Sequence, residues 1–193
     1  AYKDMLKPVQ PRKYILYVGR IVEGKGLEVL INAFNLLVKN NLVRDYELLI
    51  IGSPVHASGY YRSLQEISKN NSHIKWLGPI YGEDLIDYYH YAYCVVVPSE
   101  SESFGLTVLD ALAYNGCVIC SEIEQFKMLF FDYVCYFKQN DVYSLYRKLE
   151  LILGNSSLRW RFVNRSNSFD FSVYHWDRIV LEYQKVYTSL LTA

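Results

Sequence analysis

Six short apolar runs punctuate the chain: YILYVG at 14–19, YELLIIG at 46–52, HIKWLG at 73–78, CVVVP at 94–98, CVICS at 117–121 and YVCYF at 133–137. Each has the length of a strand and is apolar nearly throughout rather than at alternate positions, as strands buried on both faces are. Between the first two lies KGLEVLINAFNLLVKNN. There Leu27, Leu30, Ile31, Phe34, Leu37 and Val38 recur at helical spacing, which predicts a core-facing helix. Further helices are predicted over 59–70, 83–92, 105–114, 122–131 and 141–153, with two more near 157–166 and 175–191. Strand–helix alternation of this kind predicts an α/β fold, a Rossmann-like parallel sheet with helices on both faces.

In open parallel sheets, ligands sit beyond the carboxyl ends of the strands, at the point where the strand order reverses. That rule places the loops GRIVEGKG (19–26), GSPVHASG (52–59), GPIYGED (78–84) and PSESESFG (98–105) on one rim. The first of them almost spells a P-loop, but such a loop closes with a Ser or Thr that helps hold magnesium, and Gly26 stands in that place. His56, in the second loop, is within reach of a rim ligand or is an ordinary surface histidine.

Composition narrows the classes. With 20 Lys and Arg against 20 Asp and Glu, no global field favours nucleic acid or an anionic membrane, so any phosphate recognition must be local. No apolar stretch reaches the ~18 residues of a spanning helix, and no signal peptide opens the chain. Of the four cysteines, Cys117 and Cys120 are spaced like half of a zinc site, but a second pair is absent. Three residues apart on a strand, their sulfurs face opposite ways, so buried, reduced thiols are expected, with a cytoplasmic location as the default. No Asp-x-Asp motif offers to hold a divalent ion, and no metal is expected. Tyr88, Tyr89, Tyr91 and Tyr93 crowd one stretch without a basic cluster beside them, which favours packing over stacking on nucleic acid.

The chemistry-bearing residues lie in the first and fourth rim loops. The helix predicted from about Gly105 would present unpaired amides around Phe104, Gly105 and Leu106 at its positive end, an arrangement suited to anions. Glycine at 105 would let a ligand approach the backbone. Glu102 precedes that terminus, and Asp110 follows it on the helix face shared with Leu106 and Ala113. A carboxylate there suits the paired hydroxyls of a ribose, or is a surface aspartate gaining from the dipole; the residues leave both open. Arg20 and Lys25 bring positive charge to the glycine-flanked loop, as a phosphate grip or as a solvated basic pair on a turn.

YVGRIVEGKGLEVLINAF resembles the opening of the nucleotide-binding half of retaining glycosyltransferases with the GT-B fold, the group-1 family: a strand ending in Gly-Arg, a loop ending in Lys-Gly, then a helix with an Ala-Phe pair. PSESESFGLTVLDALAYNGCVI resembles the family's second motif, Glu-x-Phe-Gly-Leu, a helix, then Gly and a strand. The order of IIG, WLG and VVVPS, and the Trp-bearing tail FSVYHWDRIVLEYQKVY, are similar too, so the likeness covers roughly residues 14–190.

That resemblance implies roles residue by residue. Gly19, Arg20 and Lys25 would meet the diphosphate of a UDP- or GDP-linked sugar, with Arg20 and Lys25 stabilising the departing nucleoside diphosphate. Glu102 would accept from sugar hydroxyls, the amides near Phe104, Gly105 and Leu106 would hold sugar and phosphate, and Asp110 would take the ribose. The base would rest near Ile80 and Tyr81. Glu102, Arg20 and Lys25 are thus the candidate catalytic residues, and no protein base is implied. Two departures from the family pattern stand out: Asp110 replaces a glutamate, shortening its reach, and Cys117 stands where a proline is common.

The resemblance further implies that residues 1–13 are a linker from an N-terminal acceptor domain outside this chain, and that 14–193 form the nucleotide-sugar-binding domain with its C-terminal helix. Transfer to a glycan or lipid-linked acceptor with retention is implied, in bacterial polysaccharide, O-antigen or lipopolysaccharide assembly, in the cytoplasm or peripherally at the cytoplasmic face of the inner membrane. The isolated domain would turn over nothing. Two other readings stay in play: a nucleotide-sugar-binding module without catalysis, and a dinucleotide-dependent oxidoreductase. The second lacks a G-x-G-x-x-G turn with its acidic partner.

Overall fold

All six apolar runs become strands in the computed structural model, which describes residues 11–43, 45–54 and 59–191. The strands are β1 (Tyr14–Val18), β2 (Glu47–Ile51), β3 (Ile74–Gly78), β4 (Cys94–Val97), β5 (Val118–Ser121) and β6 (Cys135–Phe137). They pair in parallel throughout, in the order β3-β2-β1-β4-β5-β6. The order reverses between β1 and β4, which lie side by side with Ile15 opposite Cys94 and Leu16 opposite Val95.

Alternate residues of the central strands feed two separate cores, whereas the edge strand β3 buries Ile74 on one side and exposes Lys75 and Leu77 on the other. Ile15, Tyr17, Leu48, Ile50 and Val96 face one side, where they meet α1 (Leu27–Lys39), α2 (Gly59–Ser68) and α6 (Val142–Gly154). Tyr14, Leu16, Leu49, Val95 and Val97 face the other, against α3 (Gly82–Tyr91), α4 (Leu106–Ala113) and α5 (Glu124–Phe130). Two-sided burial is why these strands are continuously apolar, and each fully buried Leu or Ile contributes about 1.5–3 kcal/mol. Of the stripe that predicted α1, Leu27, Leu30, Ile31, Phe34 and Leu37 are completely buried and Val38 is partly buried.

All four cysteines are free and buried. Cys117 joins the first core and Cys120 the second, so the two sulfurs do face opposite sides of the sheet. Among the described residues, no group of three or more His, Cys, Asp or Glu is placed to hold a metal ion, and no helix is long and apolar enough to cross a membrane.

After α6 come α7 (Ser156–Asn167), a 3₁₀ turn (Phe171–Tyr174) and α8 (Trp176–Leu191). The buried Arg159 of α7 anchors that segment at the amino edge of the sheet, donating from Nε to the carbonyl of Tyr93 at 2.7 Å and lying over the Tyr93 ring. No residue of α8 is buried. The expected linker 1–13 falls mostly on residues 1–10, outside the described residues, as does His56.

Candidate functional site

Two loops meet above the β1/β4 reversal. The chain leaves β1 at Val18, turns through residues 19–26 and enters α1. Gly26 caps that helix with a left-handed backbone (φ 65°), and a Cβ on it would come within 2.0 Å of the Pro98 carbonyl oxygen. The amide of Glu100 donates to the carbonyl of Gly24 at 2.8 Å. These contacts hold the loop after β1 flat against the loop after β4. Between them opens a cleft of about 290 Å³, floored by Val18 and Val97, the last residues of the two strands.

Gly19, Arg20, Lys25, Glu102, Phe104, Gly105 and Leu106, seven of the ten residues expected from sequence, line this one cleft. Lys25 and Glu102 touch: Nζ donates to Oε1 at 2.6 Å, with side chains 21% and 17% exposed. Ser99 Oγ donates to the same oxygen at 2.8 Å, and the Ser99 carbonyl accepts from the fully buried Ser121 hydroxyl on β5. Arg20 is exposed, and its guanidinium has no hydrogen bond or ion pair among the described residues. Its backbone is held from below, because Tyr17, 2% exposed, donates its hydroxyl to the Arg20 carbonyl at 3.0 Å. Burial, with Glu102 and then Glu28 nearby, keeps that phenol well above its usual range.

The head of α4 forms one wall. Gly105 caps the helix with φ 79° and its carbonyl accepts from the amides of Val108 and Leu109, which leaves the amides of Leu106 and Thr107, both lining the cleft, as the donors without a helical partner. A Cβ on Gly105 would strike Phe126 at 2.7 Å. Glycine is therefore required here by the positive φ and by the aromatic packing behind the loop, and not by room for a ligand in front. Phe104 meets Tyr174 of the 3₁₀ turn edge-on at 5.4 Å, which brings the tail of the chain up to the cleft wall.

The other three expected residues lie off the cleft. Asp110 follows Leu106 by one turn on the same exposed face of α4. Crowding by its neighbours nonetheless desolvates its carboxyl and raises it from the usual carboxylate value, and its charge adds to the burial that raises the phenol of Tyr89 on α3. Ile80 lines a separate hollow of about 340 Å³ along α3, with Arg12, Asp84 and Asp87. Tyr81, which precedes α3, is 75% exposed. Sequence reasoning missed Tyr17, Ser99, Ser121 and Tyr174. Tyr17 sits inside an apolar strand run, and nothing local tells that its hydroxyl returns to the loop.

Comparison with known proteins bears on what such a cleft does. The sequence profile of the family described as glycosyl transferases group 1 matches residues 2–169. The chain is 33% identical over 114 residues to D-inositol 3-phosphate glycosyltransferase of Corynebacterium efficiens, a match covering 58% of this chain and 27% of that protein. It is 32% identical over 110 residues to O-antigen chain mannosyltransferase B of Escherichia coli, covering 57% and 29%. Among solved structures, the C-terminal domain of a group 1 family glycosyl transferase from Francisella tularensis superposes with a TM-score of 0.74 at 22% identity, over 86% of this chain and 89% of that one. The chain covers 27–51% of the length of the curated relatives it matches.

Proposed function

We propose, from the premise that the chain belongs to the group 1 glycosyl transferase family, that its cleft holds the diphosphate and sugar of a UDP- or GDP-linked donor. The fold is one Rossmann-like half of a GT-B arrangement, and residues 14–193 act as the donor-binding domain. The observation that carries this reading is the convergence of Arg20, Lys25, Glu102 and the head of α4 in one cleft at the β1/β4 reversal. Arginine and lysine grip a diphosphate, and they stabilise it as the bond to the sugar breaks and negative charge builds on the leaving oxygen. The α4 amides add a fixed positive dipole. Glu102 accepts from hydroxyls of the sugar. Asp110, on the open face beyond Leu106, accepts from the ribose, and the base lies toward Ile80 and Tyr81.

Transfer proceeds with retention to a glycan or lipid-linked acceptor, and the acceptor is held by an N-terminal half outside this chain. Support for that division is the share of the relatives that the chain covers. Of the named relatives, the O-antigen chain mannosyltransferase favours bacterial surface polysaccharide as the product class, while the inositol 3-phosphate glycosyltransferase points to a small phosphorylated acceptor. In this reading the two cations take the part a divalent metal plays elsewhere, and the protein works in the cytoplasm or at the inner face of the membrane.

Calorimetric titration of the 193-residue chain with UDP, GDP and ADP, each with magnesium and with EDTA, tests the reading. One nucleotide should bind clearly better than the others, unaffected by chelation. Binding of none of them sinks the donor-site assignment. Binding abolished by EDTA sinks the metal-free arginine–lysine site.

A further inference from the structure

In the cleft, the lysine expected to grip phosphate is paired with the carboxylate expected to grip sugar. Lys25 and Glu102 are joined at 2.6 Å and largely withdrawn from water. The two partners are not equally fixed. Glu102 is held by Ser99, and Ser99 by Ser121 within β5. Lys25 reaches it through a flexible four-carbon stem from a loop whose backbone is pinned at Gly24 and Gly26. When the pair opens, it is therefore the ammonium that moves.

We propose that this pair makes the cleft selective for sugar nucleotides over bare nucleotides, with Ser99 as the positioning residue that keeps Glu102 in place. The proposal rests on the donor-site reading above. At its diphosphate end, a nucleotide without a sugar offers Glu102 only acceptors. Glu102 then has no replacement donor for Lys25, and the diphosphate meets Arg20 alone while a carboxylate stands nearby. A sugar on the second phosphate brings hydroxyl donors within reach of Glu102. They take over the carboxylate, Lys25 swings to the diphosphate, and no charge in the cleft is left without a partner. After transfer the sugar is gone, Lys25 returns to Glu102, and the hold on the departing nucleotide weakens.

The test is titration of the 193-residue chain and its Glu102→Gln, Glu102→Asp and Ser99→Ala variants with four probes: UDP, UDP-glucose, GDP and GDP-mannose. Thermal melts confirm that each variant is folded. For the base that binds, the wild type should prefer the sugar nucleotide by at least about tenfold, the lower end for one charge-assisted hydrogen bond. Glu102→Gln should tighten bare nucleotide by several-fold and erase the preference. Ser99→Ala should shift the ratio the same way by less, and Glu102→Asp should not restore it, because the shorter side chain leaves Ser99. Nucleotide that binds wild type and Glu102→Gln equally, or a preference that survives in Glu102→Gln, overturns this inference while leaving the donor site standing. Failure of all four probes to bind the wild type overturns both.

Discussion

The Nζ of Lys25 and the Oε1 of Glu102 lie 2.6 Å apart, a direct bond between the loop after β1 and the loop after β4. Removing either partner would leave the other largely withdrawn from water with its charge less well matched, a cost that a surface ion pair such as Lys13–Asp45 does not carry. The same bond separates the two cations of the cleft. In the proposed donor site Lys25 would exchange one anion for another, whereas Arg20 would gain its partner outright.

Arg20 should accordingly dominate the binding of bare nucleotide. Arg20→Ala is expected to weaken nucleoside diphosphate binding by about 1.5–3 kcal/mol, the scale of hydrogen bonds to charged groups, and to leave the melting temperature unchanged because the side chain is exposed. Lys25→Ala should cost less with the same ligand. Titration of both variants decides it: equal losses, or none for Arg20→Ala, would remove Arg20 from the diphosphate site.

Two neighbouring glycines separate backbone strain from packing. Gly24 (φ 82°) has nothing within 4 Å of where its Cβ would lie, whereas at Gly26 (φ 65°) the added atom meets the Pro98 carbonyl oxygen at 2.0 Å. Gly24→Ala should cost about 1 kcal/mol, from the left-handed backbone alone. Gly26→Ala should cost at least about 2 kcal/mol more, since the two loops must separate, and nucleotide affinity should fall with it. Urea midpoints supply both figures, and equal losses would mean that the loops yield freely.

Asp110 gives a ligand-specific signature. Asp110→Asn should weaken nucleoside diphosphates and spare inorganic pyrophosphate, which has no ribose; equal losses would make the residue structural. Desolvation raises the Asp110 carboxyl above its ordinary 3.8, so the folded protein holds this proton to higher pH than the unfolded chain does. The stability it contributes is therefore present below pH 3.8 and lost as pH rises through the raised value, and Asp110→Asn should be neutral or slightly stabilising at pH 7. The ribose-dependent share of binding should run the other way, fading as pH falls toward that value, with no such limb in the variant.

Much of the fold was legible because it is written in local periodicity. The α1 stripe names its own buried residues, and continuous apolar runs announce strands covered on both faces. The meeting of residues 19–26 with 98–105 follows once β1 and β4 are neighbours, but that adjacency depends on the crossovers and not on any local pattern. Gly105 was legible as a helix start, while its reason was not: Phe126 and Phe130, over 20 positions away, fill the space behind it. The pairing of Lys25 with Glu102 is equally invisible in sequence, where each residue is expected at a different part of a ligand. In the cleft the two residues meet in one bond.

The four thiols test how dry the cores are. Burial pushes Cys94 up to about 12 and drives Cys117 and Cys120 well above the usual thiol range. At pH 8 all four should stay protonated, and iodoacetamide should label none of them in the native protein and all four in urea, as read by mass. Labelling of Cys94 or Cys117 without denaturant would show that the α1–α6 side opens locally.

Where the folded unit ends can be located by truncation. No residue of α8 is buried, and Val180, Tyr183, Tyr187 and Leu190 are each between 47% and 70% exposed, so its apolar face adds little to the stability of this chain. The segment before it differs. Phe169, 8% exposed, is ringed by Phe130, Tyr133, Phe171 and Tyr174, and Tyr174 supports Phe104 at the cleft. A chain ending at His175 should melt within about 2 °C of the full chain and bind nucleotide as well. A chain ending at Ser168 loses that aromatic cluster, worth several kcal/mol by burial of Phe169 and its neighbours, and should melt roughly 6–12 °C lower with weakened nucleotide binding. Equal melting of the two truncations would mean that the cluster only decorates the surface. A large loss already at His175 would instead make α8 part of the folded unit, held by contacts beyond the burial of its own side chains.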